Sequence, residues 1–304
     1  MPRGRRTTTS QPARLQEALV LHKYILSLLG CKDLEALSRD LKDPALEGVD
    51  DEGVSRFYYA LKQHQYDLHI PQENLFEYDQ NIVRHTNEIN ERRPEKIQWK
   101  YYQYLALLFT EVYLDRFFAN QEQLRQDINT FLNDEFNFRA ETWHGMDDFN
   151  EDDMNKLAYW CATGSGKTLM MHINIKQYLH YADKYHAKPL NRILILTPNE
   201  GLSSQHLQEL YLSNFSAELF SKQGRGGAFA GKTIEVIDIN KLADSDGDKT
   251  VAVESFEGNN LVLVDEGHKG SGGEVWKGYR NTLTQEGFSF EYSATFGQAI
   301  AAQT

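Results

Sequence analysis

A glycine-rich segment, Ala162-Thr-Gly-Ser-Gly-Lys-Thr168, has the composition of a loop that binds phosphate. Glycines at 164 and 166 let backbone N–H groups turn toward an anion, because no Cβ stands in the way. We predict a strand before the loop and a helix after it, which adds the positive end of a helix dipole. Lys167 would reach the β- and γ-phosphates, and the Thr168 hydroxyl would bind Mg²⁺. The predicted nucleotide contacts are Thr163, Gly164, Ser165, Gly166, Lys167 and Thr168.

Two adjacent acids, Asp265 and Glu266, follow the apolar run Leu261–Val264, which is typical of a buried strand. An enzyme that hydrolyses nucleoside triphosphates needs one carboxylate to hold Mg²⁺ and another to activate water. Neighbouring side chains at a strand end point in different directions, so we predict that Asp265 binds the metal and Glu266 is the catalytic base. An acidic surface turn is the alternative. The distance from Lys167 in the sequence disfavours it, because it leaves room for about two βα units.

The elements that must position these residues begin at Lys156, where apolar runs alternate with amphipathic helical segments. Such alternation predicts an α/β fold with a mainly parallel sheet, in which ligands bind at the carboxyl ends of the strands. The alternative explanation of the first motif is a glycine-rich turn that occurs there by chance. A chance turn would not account for the predicted strand before it and the predicted helix after it. Strands are predicted over 157–161, 192–197, 233–239, 260–265 and 288–292, and helices over 167–185 and 202–219.

The first part of the chain, residues 1–95, has a different texture and is predicted to be an α-helical N-terminal region. A long helix over 97–119 follows, and its many aromatic residues predict packing against the next domain. Residues 134–155 are acidic and aromatic and are predicted to form a loop or insertion. Within the N-terminal region, helices are predicted near 15–29, 34–41, 54–63 and 73–90.

Composition limits the class of protein. A formal net charge of −12 argues mildly against DNA binding, although net charge does not determine what lines one groove. Only 2 cysteines are present, which provides neither a disulfide framework nor a zinc ligand set and favours a reducing compartment. The longest apolar runs have strand length, so we predict no membrane span and a cytoplasmic location.

Three motifs together resemble a known family. The glycine-rich loop, Asp265-Glu-Gly-His268 and Ser293-Ala-Thr295 are similar to motifs I, II and III of superfamily 2 helicases and translocases. The residues before the loop and the D-E-G-H box resemble the Res subunit of type III restriction enzymes and related phage-defence helicases. The resemblance implies a RecA-like P-loop NTPase domain over 96–304 that uses ATP and Mg²⁺. It also implies that His268, Ser293 and Thr295 couple the nucleotide site to movement.

Two further segments resemble the family less specifically. Thr197-Pro198-Asn199 is similar to motif Ia, whose residues touch the nucleic-acid backbone, and Lys100-Tyr-Tyr-Gln103 is similar to the glutamine motif that reads adenine. An ordinary glutamine on a helix surface is the alternative for Gln103. Capping of a strand end is the alternative for Ser293 and Thr295.

The resemblance therefore implies an ATP-dependent helicase or translocase that moves on double-stranded DNA. It would be part of a restriction or defence enzyme, with a Mod-type DNA methyltransferase as a partner. A second RecA-like domain and a nuclease domain are expected but do not follow Thr295, so we expect weak hydrolysis from this piece alone. A P-loop NTPase of another class, such as a small-molecule kinase, and a non-catalytic ATP-binding scaffold are the alternatives.

Overall fold

The computed structural model describes residues 19–63, 68–136, 147–221, 233–244, 247, 250–266 and 273–294. Its centre is a six-stranded sheet in the order β1-β8-β7-β2-β4-β3, and each strand is parallel to its neighbours. This confirms the predicted α/β class with a mainly parallel sheet. The strands are β1 (Lys156–Trp160), β2 (Arg192–Thr197), β3 (Ala217–Leu219), β4 (Ile234–Asp238), β7 (Asn260–Asp265) and β8 (Phe288–Ser293), while β5 (Leu242–Ala243) and β6 (Val251–Ala252) form a separate parallel pair.

Helices cover the sheet and precede it in the chain. The helix over Lys167–Lys184 starts directly after the glycine-rich loop, and the helix over Glu200–Leu212 follows β2. The α-helices are α1 (Val20–Leu28), α2 (Leu34–Ser38), α3 (Arg56–Gln63), α4 (Gln72–Asn90), α5 (Tyr101–Phe131), α6 (Glu151–Met154), α7 (Lys167–Lys184), α8 (Glu200–Leu212) and α9 (Gly273–Leu283). Among the described residues, each helix is too short or too polar to pass through a lipid bilayer.

The sheet is buried on both faces, as a parallel sheet requires. Successive residues of β2 and β7 alternate between two apolar clusters. Ile193 and Ile195 belong to the cluster that also contains the N-terminal helices, whereas Leu194 and Leu196 belong to the cluster beneath α9. Each fully buried aliphatic side chain contributes about 1.5–3 kcal/mol through removal from water. The apolar runs predicted as strands therefore stabilise both faces at once.

The N-terminal helices share a continuous core with the sheet. Tyr104 and Tyr113 of α5 are buried, and the same apolar cluster extends from Val20 to Tyr292. The predicted packing role of the aromatic helix is confirmed. The domain boundary at residues 95 and 96 stays a prediction, because the buried core is continuous across it.

The helix predicted over 97–119 differs from α5 at its end. Asn120 has non-helical backbone angles (φ −166°, ψ 93°), and its side chain accepts a hydrogen bond from Gln123 N–H at 3.0 Å. This side chain caps a second helical piece that continues to Phe131, because Asn supplies the acceptor that a helix start requires. The predicted end of the helix at residue 119 lies next to the kink at Asn120, but the sequence pattern did not predict the helical piece that continues to Phe131.

The helix predicted over 202–219 was wrong in its last part. The helix α8 ends at Leu212, and residues 217–219 form the edge strand β3. Asn214 lies in the left-handed region (φ 64°), and Phe215 N–H donates to Leu210 O at 3.0 Å. A left-handed Asn one residue beyond the C-cap is a common way for a helix to end.

The segment predicted as an insertion, residues 134–155, is described only in part. The chain continues from α5 into a short π-helix (Leu132–Phe136), and residues 147–155 contain α6. Asn129 contacts the backbone of Phe149 through two hydrogen bonds, and the Tyr113 hydroxyl donates to Met154 O. The described end of this segment is therefore packed against α5.

Candidate functional site

The phosphate loop lies between β1 and α7, as predicted. Gly164 (φ 77°) and Gly166 (φ 85°) both adopt left-handed backbone angles that side chains with a Cβ rarely take. Among the described residues, no atom lies within 4 Å of the place where a Cβ at Gly164 would stand, so this part of the structure leaves space beside the loop. Gly166 is the N-cap of α7 and provides no side-chain cap. The first N–H groups of this helix are those that a helix leaves for an external acceptor.

Gln103 of α5 contacts the loop directly. Its Nε2 donates to Ser165 O at 2.7 Å, and its Oε1 accepts from Lys100 N–H at 2.8 Å. A Cβ at Gly166 would lie 2.4 Å from Gln103 Nε2, so this glycine is needed for close approach as well as for its backbone angles. Both ends of the amide bind backbone groups of the protein. The adenine contact stays a prediction, whereas the visible role of Gln103 is to brace the loop.

The two acids lie at the end of β7 and meet the loop lysine. Lys167 Nζ forms an ion pair with Glu266 and lies 3.8 Å from Asp265 Oδ1. The side chains of Lys167, Asp265 and Glu266 are only 12%, 10% and 12% exposed, so solvent screens this cluster weakly. The structure thus brings together the three residues predicted to be catalytic.

Glu266 has an unusual backbone. Its φ of 56° is in the left-handed region, and its N–H donates to Tyr292 O at 2.9 Å. A non-glycine residue in this region is strained, and such strain occurs often at functional sites. The turn at Glu266 leaves both carboxylates near Lys167 Nζ.

Asp265 has a second neighbour that the sequence did not reveal. His206 Nε2 of α8 lies 3.0 Å from Asp265 Oδ2, and His206 is 2% exposed. The carboxylate therefore directs one oxygen toward His206 and the other toward Lys167. His206 lies in a helix after the motif Ia segment, and its spacing in the sequence provides no signal for this contact.

The third motif lies beside the loop, because β8 is the neighbour of β1. Cys161 N–H donates to Ser293 O at 3.0 Å, and Trp160 Nε1 donates to Ala294 O at 3.1 Å. Ser293 is fully buried. The other two residues predicted to couple nucleotide and movement, His268 and Thr295, lie outside the described residues.

The motif Ia segment begins at the end of β2. Thr197 is 1% exposed, and its hydroxyl lies 2.6 Å from Ser203 Oγ. The Thr197 side chain therefore faces the interior, and the expected contact between Thr197 and nucleic acid stays a prediction. Asn199 is exposed and caps α8 by accepting from Leu202 N–H at 3.0 Å. Roles for Pro198 and Asn199 at a nucleic acid stay predictions.

These residues fit a nucleotide with its metal. The loop provides left-handed glycines, an uncapped helix N-terminus and a lysine, and the strand ends provide two carboxylates. Mg²⁺ is commonly held by one or two protein oxygen ligands together with phosphates and water, a set that Thr168 and Asp265 can supply. A preformed cage of protein ligands is not needed.

Comparison with known families agrees with this geometry. The model of the family described as type III restriction enzyme, res subunit, matches residues 96–298. The chain belongs to this family. Members of the res-subunit family are helicase-like ATPases of superfamily 2, which confirms the resemblance and the RecA-like fold. No curated protein matches the chain.

Proposed function

We propose that this res-family chain binds ATP with Mg²⁺ at the loop 162–168 and hydrolyses it to drive movement on double-stranded DNA. The ion-pair cluster supports this proposal most strongly. Lys167 contacts Glu266 and lies 3.8 Å from Asp265 Oδ1 at the carboxyl edge of a parallel sheet. A group that binds phosphate thus lies beside the acids required for a metal and for a lytic water.

Each residue has a distinct role in the proposed reaction. Lys167 exchanges its carboxylate partners for oxygens of the β- and γ-phosphates, and Thr168 and Asp265 hold the metal. Bound Mg²⁺ supplies positive charge that stabilises the phosphate oxygens. Glu266 orients a water molecule and accepts its proton. The water oxygen bonds to the γ-phosphorus, the bond to the β–γ bridging oxygen breaks, and ADP keeps that electron pair.

The link to DNA is proposed to pass through β8 and β2. The hydrogen bond from Cys161 N–H to Ser293 O joins the start of the phosphate loop to the third motif. Ser293, Thr295 and His268 would transmit the nucleotide state, while Pro198 and Asn199 would contact the DNA backbone. Thr197 would support that contact from inside through Ser203.

Mg²⁺-dependent ATP turnover, measured with and without double-stranded DNA, tests this proposal, together with binding of the fluorescent analogue mant-ATP. A DNA motor binds the analogue and turns over faster with duplex DNA. A small-molecule kinase would be indifferent to DNA, and a scaffold would bind the analogue without turnover. Failure to bind mant-ATP would contradict the DNA motor, the small-molecule kinase and the ATP-binding scaffold alike.

We also propose that the chain acts within a restriction or phage-defence enzyme and binds a Mod-type DNA methyltransferase. The family match over residues 96–298 supports this assignment. Co-purification of the chain with a Mod-type subunit encoded beside it tests the partner. Loss of phage protection in cells that carry the Lys167→Ala variant of the whole system tests the context.

A further inference from the structure

Buried polar side chains lie in two separate hydrogen-bonded groups between Asp265 and the segment that joins α4 to α5, and we call them the polar row. His206 Nε2 lies 3.0 Å from Asp265 Oδ2. Further along the row, His172 Nδ1 lies 2.7 Å from Ser213 Oγ. Arg93 Nη2 donates to the same Ser213 Oγ at 2.7 Å. Two helices, α7 and α8, and the segment between α4 and α5 thus contribute to the polar row.

The members of this row are deeply buried. His206 is 2% exposed, and His172 and Ser213 are fully buried. The Arg93 side chain is 10% exposed and pairs with Glu209 at 2.9 Å. Polar groups in a protein interior cost free energy unless they form hydrogen bonds, so apolar residues would be the simpler choice for packing alone. Packing of the core alone therefore does not explain why these buried positions carry polar side chains.

The hydrogen positions along the row follow from the chemistry of its ends. Arg93 is only a donor, so the Ser213 oxygen accepts and the Ser213 hydroxyl hydrogen goes to His172 Nδ1. Burial, with help from His206, Arg93 and Lys176, lowers the pKa of His172 well below its ordinary value, so its ring is neutral with hydrogen on Nε2. At the other end, a carboxylate only accepts, so His206 donates from Nε2 to Asp265.

We propose that His206 is a positioning residue that orients Asp265 for Mg²⁺, and that the contacts of His172 and Arg93 with Ser213 hold the helix α8 that contains it. The inference rests on the proposed function, because it assumes that Asp265 binds the metal. The His206 hydrogen bond holds Oδ2, which turns Oδ1 toward the phosphate-loop side, where Lys167 lies 3.8 Å away. Groups behind a metal ligand typically change metal affinity by about 10–100-fold when removed.

The row also gives the N-terminal helical region a route to the site. Arg93 lies between α4 and α5, and it binds Glu209 and Ser213 at the end of α8. A change at Arg93 would reach Asp265 through two helices that the row holds together. Arg93→Leu is therefore expected to weaken metal binding in the same direction as a change at His206, but less.

Mant-ATP binding, titrated with Mg²⁺ and repeated in EDTA, tests the inference on the whole chain. His206→Leu removes the donor at similar volume, whereas His206→Gln keeps an N–H group near the position of Nε2. We expect His206→Leu to reduce the apparent Mg²⁺ affinity about tenfold with binding in EDTA unchanged, and His206→Gln to restore most of it. His180→Leu, on the same helix as His172 and without contact to Asp265, is the matched control and should leave both values unchanged.

The outcomes separate the inference from the proposed function. Equal losses in EDTA and in Mg²⁺ would make His206 a purely structural residue, and an unchanged Mg²⁺ titration in His206→Leu would also overturn the inference. If His206→Leu does not fold, His206→Asn provides the test, because its shorter amide does not reach Asp265 in the same way. Absence of mant-ATP binding by the unsubstituted chain would instead contradict the proposed function itself.

Discussion

Two of the sites with buried carboxylates among the described residues have neighbours that differ in kind. At the carboxyl edge of the sheet, Asp265 and Glu266 face Lys167, a cation on a flexible stem. In the helical layer, Glu111 of α5 is 0% exposed, and its side-chain hydrogen-bond donors are neutral groups. Its carboxylate accepts hydrogen bonds from Tyr181 (2.5 Å), Gln177 (2.7 Å) and Asn81 (3.1 Å).

The difference shows that burial alone does not mark a functional carboxylate. Neutral donors satisfy the hydrogen-bonding capacity of Glu111 but do not compensate its charge. Burial therefore raises the pKa of Glu111 to about 7, although the three donors act in the opposite direction. Lys167, in contrast, follows a loop with space beside Gly164 in the described part of the chain, so we expect it to exchange its acids for a phosphate bound there. The proposed site is therefore distinguished by a cation that can exchange its partners, and not by how deeply its carboxylates are buried.

The largest expected effect comes from removal of the exchangeable charge. Lys167→Ala leaves two adjacent carboxylates facing a triphosphate, so we expect weaker mant-ATP binding and a loss of turnover of at least about a hundredfold. Lys184→Ala is the matched control, because Lys184 pairs with Glu77 and Asp115 in the helical layer. It should leave nucleotide binding unchanged. Similar losses in the two variants would remove the distinction between the clusters.

The second prediction concerns the pH dependence of stability. The folded-state pKa of Glu111 is raised from 4.5 to about 7, so the neutral form stabilises the fold below pH 4.5 and this contribution is lost as pH rises through 7. The loss corresponds to roughly 3 kcal/mol in the free energy of unfolding. Glu111→Gln cannot ionise and should flatten this dependence, as measured by urea unfolding at pH 5 and pH 8. A parallel decline in both proteins would refute the assignment.

The strands that contain the site could be predicted because burial leaves a simple pattern. The bounds of β2 and β7 agree with the predicted 192–197 and 260–265, since apolar runs end there at polar residues. Parallel strands end at the same edge, so Lys167, Asp265 and Glu266 were expected to meet. Those contacts are observed, while the catalytic roles of the three residues stay predictions.

The features that were not predicted depend on contacts between residues far apart in the sequence, which no local sequence pattern indicates. His206 reaches Asp265 because α8 packs against β2, the neighbour of β7 in the sheet, and the turn at Asn214 that creates β3 depends on one left-handed residue. The motif did not indicate which way Thr197 faces; its hydroxyl lies in the interior, since side chains alternate between the two faces along a strand. The hydrogen bond from Gln103 to Ser165 O likewise depends on the packing of α5 against the loop, which the segment Lys100–Gln103 alone does not indicate.

A smaller effect is expected at Gln103. Loss of its hydrogen bond to Ser165 O should cost about 1 kcal/mol, so Gln103→Ala should weaken mant-ATP binding several-fold. Because the bond braces the loop, the affinities of ATP and GTP, measured by competition with mant-ATP, should fall by the same factor. A loss confined to ATP would support adenine reading instead. Gln123→Ala, an exposed glutamine on the same helix, should change neither.

The most direct test applies one substitution to both clusters: Glu266→Gln and Glu111→Gln, each measured for mant-ATP binding and Mg²⁺-dependent ATP turnover. We predict that Glu266→Gln keeps nucleotide binding but loses about 10²–10⁴-fold in turnover, because only water activation is removed. Glu111→Gln should keep both. Normal turnover in Glu266→Gln, or a loss of binding as large as that in Lys167→Ala, would contradict the assignment of the hydrolysis site.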